Sequence, residues 1–154
     1  MSKLMDRAQA VADPANGQIL ASVEIAATPE RVFRALASAE VADWWVRPGV
    51  FSTSEWGGDV RIGGRWRSSG IARGEAYAIE GEFVEVDPPR KLAFTWHRVG
   101  LPGAPTTVTH LLEPLDGGTR LTLRHTGFTS AEMCTNVCAG WKTSFEKLAG
   151  MLAK

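Results

Sequence analysis

The chain has 154 residues, enough for one domain with a sizeable core and no need of disulfide or metal staples. Its 17 Lys plus Arg balance 17 Asp plus Glu, so net charge gives no general pull toward nucleic acid or an acidic membrane. Hydrophobic residues at 44% and charged residues at 22% are ordinary for a globular domain, and no apolar run approaches the ~20 residues of a membrane helix. Lys3 and Arg7 are followed by no apolar stretch of the signal-peptide kind, and Cys134 and Cys138 are the only cysteines. The expected setting is the reducing cytoplasm.

In chain order, residues 1–17 read as an N-terminal extension of small and polar residues, with a short helix over 4–11 as its one candidate element. It ends in the turn-like Asp13-Pro14-Ala15-Asn16-Gly17, and the domain proper reads as 18–154. Residues 19–26 alternate as a strand, with Ile19, Ala21, Val23 and Ile25 on one face. Thr28 then supplies an N-cap and Pro29 a first helical residue, and Val32, Phe33, Leu36 and Ala37 recur at helical spacing. A second short helix is expected over 39–45, stopped by Pro48-Gly49.

Strand-like runs follow at 60–68, 75–86, 91–99, 106–113 and 119–126, joined by turn signals such as Asp87-Pro88-Pro89-Arg90 and Leu115-Asp116-Gly117-Gly118. Short turns between successive strands imply an antiparallel meander. The last segment, 129–153, reads as a helix about 25 residues long, capped by Thr129 with Glu132 completing a capping box. Met133, Val137, Trp141, Phe145, Leu148 and Leu152 form its apolar stripe, and Gly140 marks a place where another element comes close. A sheet with one apolar-striped helix packs that helix on one face, and two small helices leave a gap between them as the candidate ligand site.

The order and spacing of several motifs resemble the activator-of-heat-shock-protein-ATPase-like branch of the START-like (SRPBCC) superfamily. The motifs are Thr28-Pro29-Glu30-Arg31-Val32-Phe33, Trp44-Trp45-Val46-Arg47-Pro48, Arg61-Ile62-Gly63-Gly64-Arg65-Trp66 and Glu85-Val86-Asp87-Pro88-Pro89-Arg90-Lys91-Leu92. Phe94-Thr95-Trp96, Gly118-Thr119-Arg120-Leu121-Thr122-Leu123, His125-Thr126-Gly127-Phe128 and Gly140-Trp141 continue the series. The resemblance spans residues 19–154. It implies an α+β helix-grip fold of the START-like, birch-pollen-allergen-like kind: a curved antiparallel sheet of about six to seven strands around a long C-terminal helix, with two short helices after the first strand. The eukaryotic founders of the family stimulate a chaperone ATPase, but they rely on an additional N-terminal domain that has no counterpart here. Fold alone does not fix chemistry.

Strand alternation assigns the candidate site. Leu92, Phe94 and Trp96 share one face; Val108, His110 and Leu112 share another; Leu121, Leu123 and His125 share a third. The apolar sets face the helix, which turns His110 and His125 inward and His97 outward. If Leu112 pairs with Leu121, His110 pairs with Leu123, and the two histidines are diagonal neighbours. Three roles fit them: satisfied core histidines, polar anchors for a ligand, or a general acid–base pair.

The six Trp against one Tyr are the unusual count. Trp44, Trp45, Trp56 and Trp66, with Phe83, Phe94, Trp96, Leu112, Leu123 and Trp141, are the expected wall of the ligand site, and His110 and His125 its polar contacts. Arg61, Arg65, Arg67 and Arg73 read as a solvated face or as a site for an acidic partner. Cys134 and Cys138, four apart on the last helix, read as small buried hydrophobes, since no third metal ligand stands near them. Glu80 and Glu82 share parity and Glu85 does not, which suggests a bulge between them.

The reading is a binding module for a small hydrophobic molecule, with no cofactor, no metal, no catalytic residue, no nucleic-acid or membrane partner, and a monomeric or homodimeric state. The alternatives are an enzyme of cyclase, hydrolase or dehydratase type using the pocket histidines, and a protein-interaction module akin to a chaperone co-regulator.

Overall fold

A computed structural model describes residues 7–153. The chain opens with a hairpin, β1 (Gln9–Asp13) and β2 (Gln18–Ile25), then two short helices, α1 (Pro29–Leu36) and α2 (Val41–Trp44). An antiparallel meander follows: β3 (Phe51–Gly58), β4 (Arg65–Ala72), β5 (Glu75–Asp87), β6 (Lys91–Arg98), β7 (Thr106–Leu115) and β8 (Gly118–Thr126). The long helix α3 (Ala131–Leu152) ends the described chain. All eight strands form one sheet in the order β1-β2-β8-β7-β6-β5-β4-β3, with β2 docked against β8.

Alternation builds the inner face. Ile19, Ala21, Val23 and Ile25 of β2 are buried while the residues between them are not. Thr106, Val108, His110 and Leu112 do the same on β7, as do Thr119, Leu121, Leu123 and His125 on β8. Leu112 pairs with Leu121, His110 with Leu123 and Val108 with His125, so the two histidines sit on one face at the diagonal expected. The β5–β6 register shifts between Phe83 and Glu85, a bulge in keeping with the change of glutamate parity. Gly81 is needed in β5 because the Trp66 indole crosses it to donate to the Thr95 carbonyl at 3.1 Å, and a Cβ there would run into that carbonyl.

Capping fixes both main helices. Thr28 accepts from the Arg31 N–H at 3.2 Å, and Pro29 opens α1. In α3 the cap is Ser130, which accepts from the Met133 N–H at 3.1 Å, one residue later than the expected Thr129. Phe128, buried with its ring 4.5 Å from that of His125, ties the chain down just before the helix begins. Cys134, Trp141, Phe145, Leu148 and Leu152 turn inward, and Gly140 lies under the Phe51 ring, which would stand 3.3 Å from a Cβ. None of the described helices is long and apolar enough to cross a membrane.

Three sequence expectations change. The helix expected over 4–11 is not present among the described residues: positions 9–11 belong to strand β1, 7 and 8 precede it, and 4–6 lie outside the described residues. β1 pairs with β2 from Gln9↔Ser22 to Asp13↔Gln18, so this part of the extension belongs to the sheet. The strand expected over 60–68 begins only at Arg65, because Gly63 at φ 84° and the Gly64 N–H bonded to the Arg61 carbonyl close a turn there. Val60 and Ile62, which supplied the alternation, point into solvent. β3 is an additional strand, and the sheet therefore has eight strands rather than six or seven.

Trp141 is 3% exposed at the centre of this arrangement. Trp141→Ala should lower the free energy of unfolding by about 3–5 kcal/mol, read by urea denaturation. A loss below about 1 kcal/mol would contradict its place as the core of the helix–sheet contact.

Candidate functional site

The residues expected to wall a ligand cavity largely fill the space instead. Trp44, Trp45, Trp66, Phe83, Phe94 and Trp141 are all under 10% exposed. Trp45 and Trp141 meet at 4.6 Å between ring centroids, Trp66 and Phe94 at 5.2 Å, and Trp141 and Phe145 at 5.4 Å. What remains among them is an inner cavity of about 40 Å³. That is room for water and too little for an organic molecule. The half-buried Trp56 and Trp96 also line it.

Two buried polar groups line the same inner cavity. His110 Nδ1 and Ser68 Oγ have no hydrogen-bond partner among the described residues. His125 differs. The Trp141 indole N–H, a donor only, donates to His125 Nδ1 at 3.0 Å, so Nδ1 carries no proton. The proton is then on Nε2, which donates to Thr106 Oγ1 at 2.7 Å, and Thr106 donates onward to the Trp96 carbonyl at 3.0 Å. Every donor in this chain has an acceptor only while His125 is neutral. Burial pushes the His110 pKa down to about 3; burial first, then the neighbouring His110 charge, push His125 to about 3 as well.

The open space lies lower, beneath the first half of α3. A cleft of about 360 Å³ is bounded by Arg47, Val50 and Phe51, by the β4–β5 hairpin, and by Met133, Val137 and Gly140 of α3. Trp45, Ile79 and Trp96 line both this cleft and the inner cavity, and so form its floor. Tyr77 forms a side wall, and the Arg98 guanidinium lies 5.5 Å over its ring. A second hollow of about 370 Å³, under the 99–105 loop, adjoins it through Trp96, Arg98 and Met133.

Of the residues expected at the site, Trp45 and Trp96 reach the cleft. Trp44, Trp56, Trp66, Phe83, Phe94, His110 and Trp141 face only the inner cavity, and Leu112, Leu123 and His125 line neither. The sequence reading missed Val50, Phe51, Tyr77, Arg47 and Arg98, and placed Arg73 in a different arginine group, as a solvated face or a site for an acidic partner. The usable signals were Met133 and Val137 at the outer end of the α3 stripe and the Gly140 beside them.

Among the described residues, no three His, Cys, Asp or Glu side chains gather as a metal site. Cys134 and Cys138 are buried free thiols, and desolvation raises both pKa values. Cys134 Sγ donates to the Gln18 carbonyl at 3.6 Å. Of the arginine group read as one face, Arg61 pairs with Asp59 and Arg67 with Glu80, while Arg73 lies apart at the cleft.

A sheet curved around one long helix, with a cleft opening beside that helix, defines a START-like helix-grip protein. The chain belongs to the family described as "Activator of Hsp90 ATPase homolog 1-like protein", which it matches over residues 26–153. Among solved structures it is similar to a protein of Mycobacterium smegmatis, 24% identical with a TM-score of 0.78, over 94% of this chain and 96% of that one. A protein of Chromobacterium violaceum is 25% identical with a TM-score of 0.75, over 97% and 99% of the two chains. The AHSA1 protein of Silicibacter pomeroyi is 28% identical with a TM-score of 0.71, over 89% and 98%. These likenesses support the fold. No curated protein matches the chain.

The histidine geometry has a consequence for stability. Both folded pKa values lie below the ordinary value of 6.5, so the unfolded chain takes up protons that the folded one refuses. Their contribution is level above about pH 6.5 and is lost as pH falls toward 3, by up to about 1.4 kcal/mol per pH unit for each ring. His110→Phe should remove about half of this slope and hold or raise stability at pH 7, because it deletes an unpartnered buried nitrogen. Urea denaturation across pH 4–7 reads both effects; an unchanged slope would contradict the buried neutral ring.

Proposed function

We propose that the protein binds a small, predominantly apolar molecule in the cleft beneath the first half of α3. The observation that carries this reading is the cleft itself: about 360 Å³, with Trp45, Val50, Phe51, Tyr77, Trp96 and Val137 among its walls. Its size and its mostly apolar lining with a few polar groups at the edge suit a small-molecule site. The packed aromatic centre supports the reading from below. Trp45, Ile79 and Trp96 give the cleft a floor with little freedom to collapse further.

Binding is favoured over acid–base catalysis because the two buried histidines lie outside the cleft, and His125 already spends both ring nitrogens on Trp141 and Thr106. The setting proposed is the cytoplasm, where the thiols of Cys134 and Cys138 stay reduced.

The neutral fluorophore N-phenyl-1-naphthylamine tests the reading without help from charge. It should bind saturably at one site per chain. Val137→Trp, which fills the cleft from a half-buried position on α3, should weaken that binding at least ~10-fold while thermal stability stays close to wild type. Absence of saturable binding to the wild type, or equal affinity in the variant, would sink the proposal.

A further inference from the structure

The cleft is apolar inside and cationic at its edge. Arg47, Arg73 and Arg98 line it, against the single acid Glu75. None of these three arginines has a carboxylate within ion-pair distance among the described residues. By contrast Arg31, Arg34, Arg61, Arg67, Arg90 and Arg120 each have one. In a chain whose charges balance overall, leaving three guanidinium groups unpaired around one opening concentrates positive potential there.

Each of the three is held in place by its backbone or its stacking. Arg47 exchanges both backbone hydrogen bonds with Phe51, at 3.0 Å each way, which pins it beside an apolar wall of the cleft. Arg73 donates its backbone N–H to the Val50 carbonyl at 2.9 Å. It also sits at φ 51° in the two-residue turn between β4 and β5, followed by Gly74 at φ 82°. That left-handed turn favours Asn or Gly, so a long cation at Arg73 runs against local backbone preference. Arg98 rests on the Tyr77 ring at 5.5 Å, a contact that orients the guanidinium plane and leaves its N–H donors free.

We propose that the cleft is built for an organic carboxylate: an apolar body against Trp45, Phe51 and Val137, with the carboxylate at the mouth between Arg47, Arg73 and Arg98. This rests on the reading that the cleft is the binding site and adds the chemical class of the ligand. The guanidinium fork matches a carboxylate through two parallel N–H···O bonds, and a partly apolar surround strengthens such charge-assisted bonds. Glu75 tempers the charge and disfavours a second anion at the same mouth.

A matched pair of probes separates the two ideas. 1-Naphthaleneacetic acid and its neutral amide share one apolar body and differ in the head group. Titration calorimetry at low salt should show the acid binding at least ~10-fold tighter than the amide, with the gap shrinking at high salt. The double variant Arg47→Gln, Arg98→Gln should lower acid affinity at least ~3-fold more than amide affinity and so narrow the gap, with Arg73 holding what remains. Glu75→Gln should strengthen binding of the acid alone. Equal affinities for acid and amide in the wild type, or a gap undiminished in the double variant, would overturn the carboxylate class while amide binding upholds the cleft. Failure of both probes to bind would overturn the carboxylate class and count against the binding reading as well.

Discussion

The hydrogen bond from the Trp141 indole to His125 Nδ1 joins the long helix to the centre of the sheet, and much of the molecule is arranged around it. The bond fixes the histidine tautomer, and the tautomer directs a proton to Thr106 and on to the Trp96 backbone. The same indole lies against Trp44 and Trp45 from the α2 segment, His110 from β7 and Phe145 from its own helix. One side chain thus ties α3, the sheet and the short helices into a single packed centre. Because a buried N–H without an acceptor is costly, the helix cannot rotate or slide without leaving the indole unpaired. That is a more specific constraint than apolar burial, which tolerates many arrangements.

Packing this centre decides where space is left. With the rings of Trp44, Trp45, Trp66, Phe94 and Trp141 in contact, only about 40 Å³ remains at the middle. The helix continues past the packed zone toward its N-terminus. There Gly140 lets Phe51 approach, and Val137 and Met133 face a cleft rather than a strand. The opening is therefore a product of the tight centre: a floor of Trp45, Ile79 and Trp96 that is already filled from behind, and walls from separate elements that meet only at their edges.

Charge is distributed with the same division. Most ion pairs lie across neighbouring strands or within turns, as between Arg67 and Glu80, Arg120 and Glu24, and Arg90 and Asp87. Such exposed pairs add little stability individually. Their effect is to neutralise part of the outer face, while Arg47, Arg73 and Arg98 come to one opening without such partners.

Much of the fold was legible in the chain because period-2 and period-3.6 patterns report directly on which face is buried. The α1 cap followed from Thr28-Pro29 and the long helix from its stripe, while the β7–β8 register with Leu112 opposite Leu121 was one of the pairings that the alternation left open. The two edge strands β1 and β3 were not legible, since their residues are mostly exposed or half-buried and carry little alternation. The resemblance to the helix-grip family carried the architecture and said little about the site. Periodicity showed that Trp66, Phe94, His110 and Trp141 point inward; it could not show whether they meet or stand apart. That outcome depends on the volume left after large rings interdigitate, a small difference between large quantities that only the assembled sheet and helix determine. The arginines at the mouth were hidden for a related reason: Arg47, Arg73 and Arg98 lie far apart in sequence, and only the tertiary structure brings them to one opening and leaves them without acidic partners there.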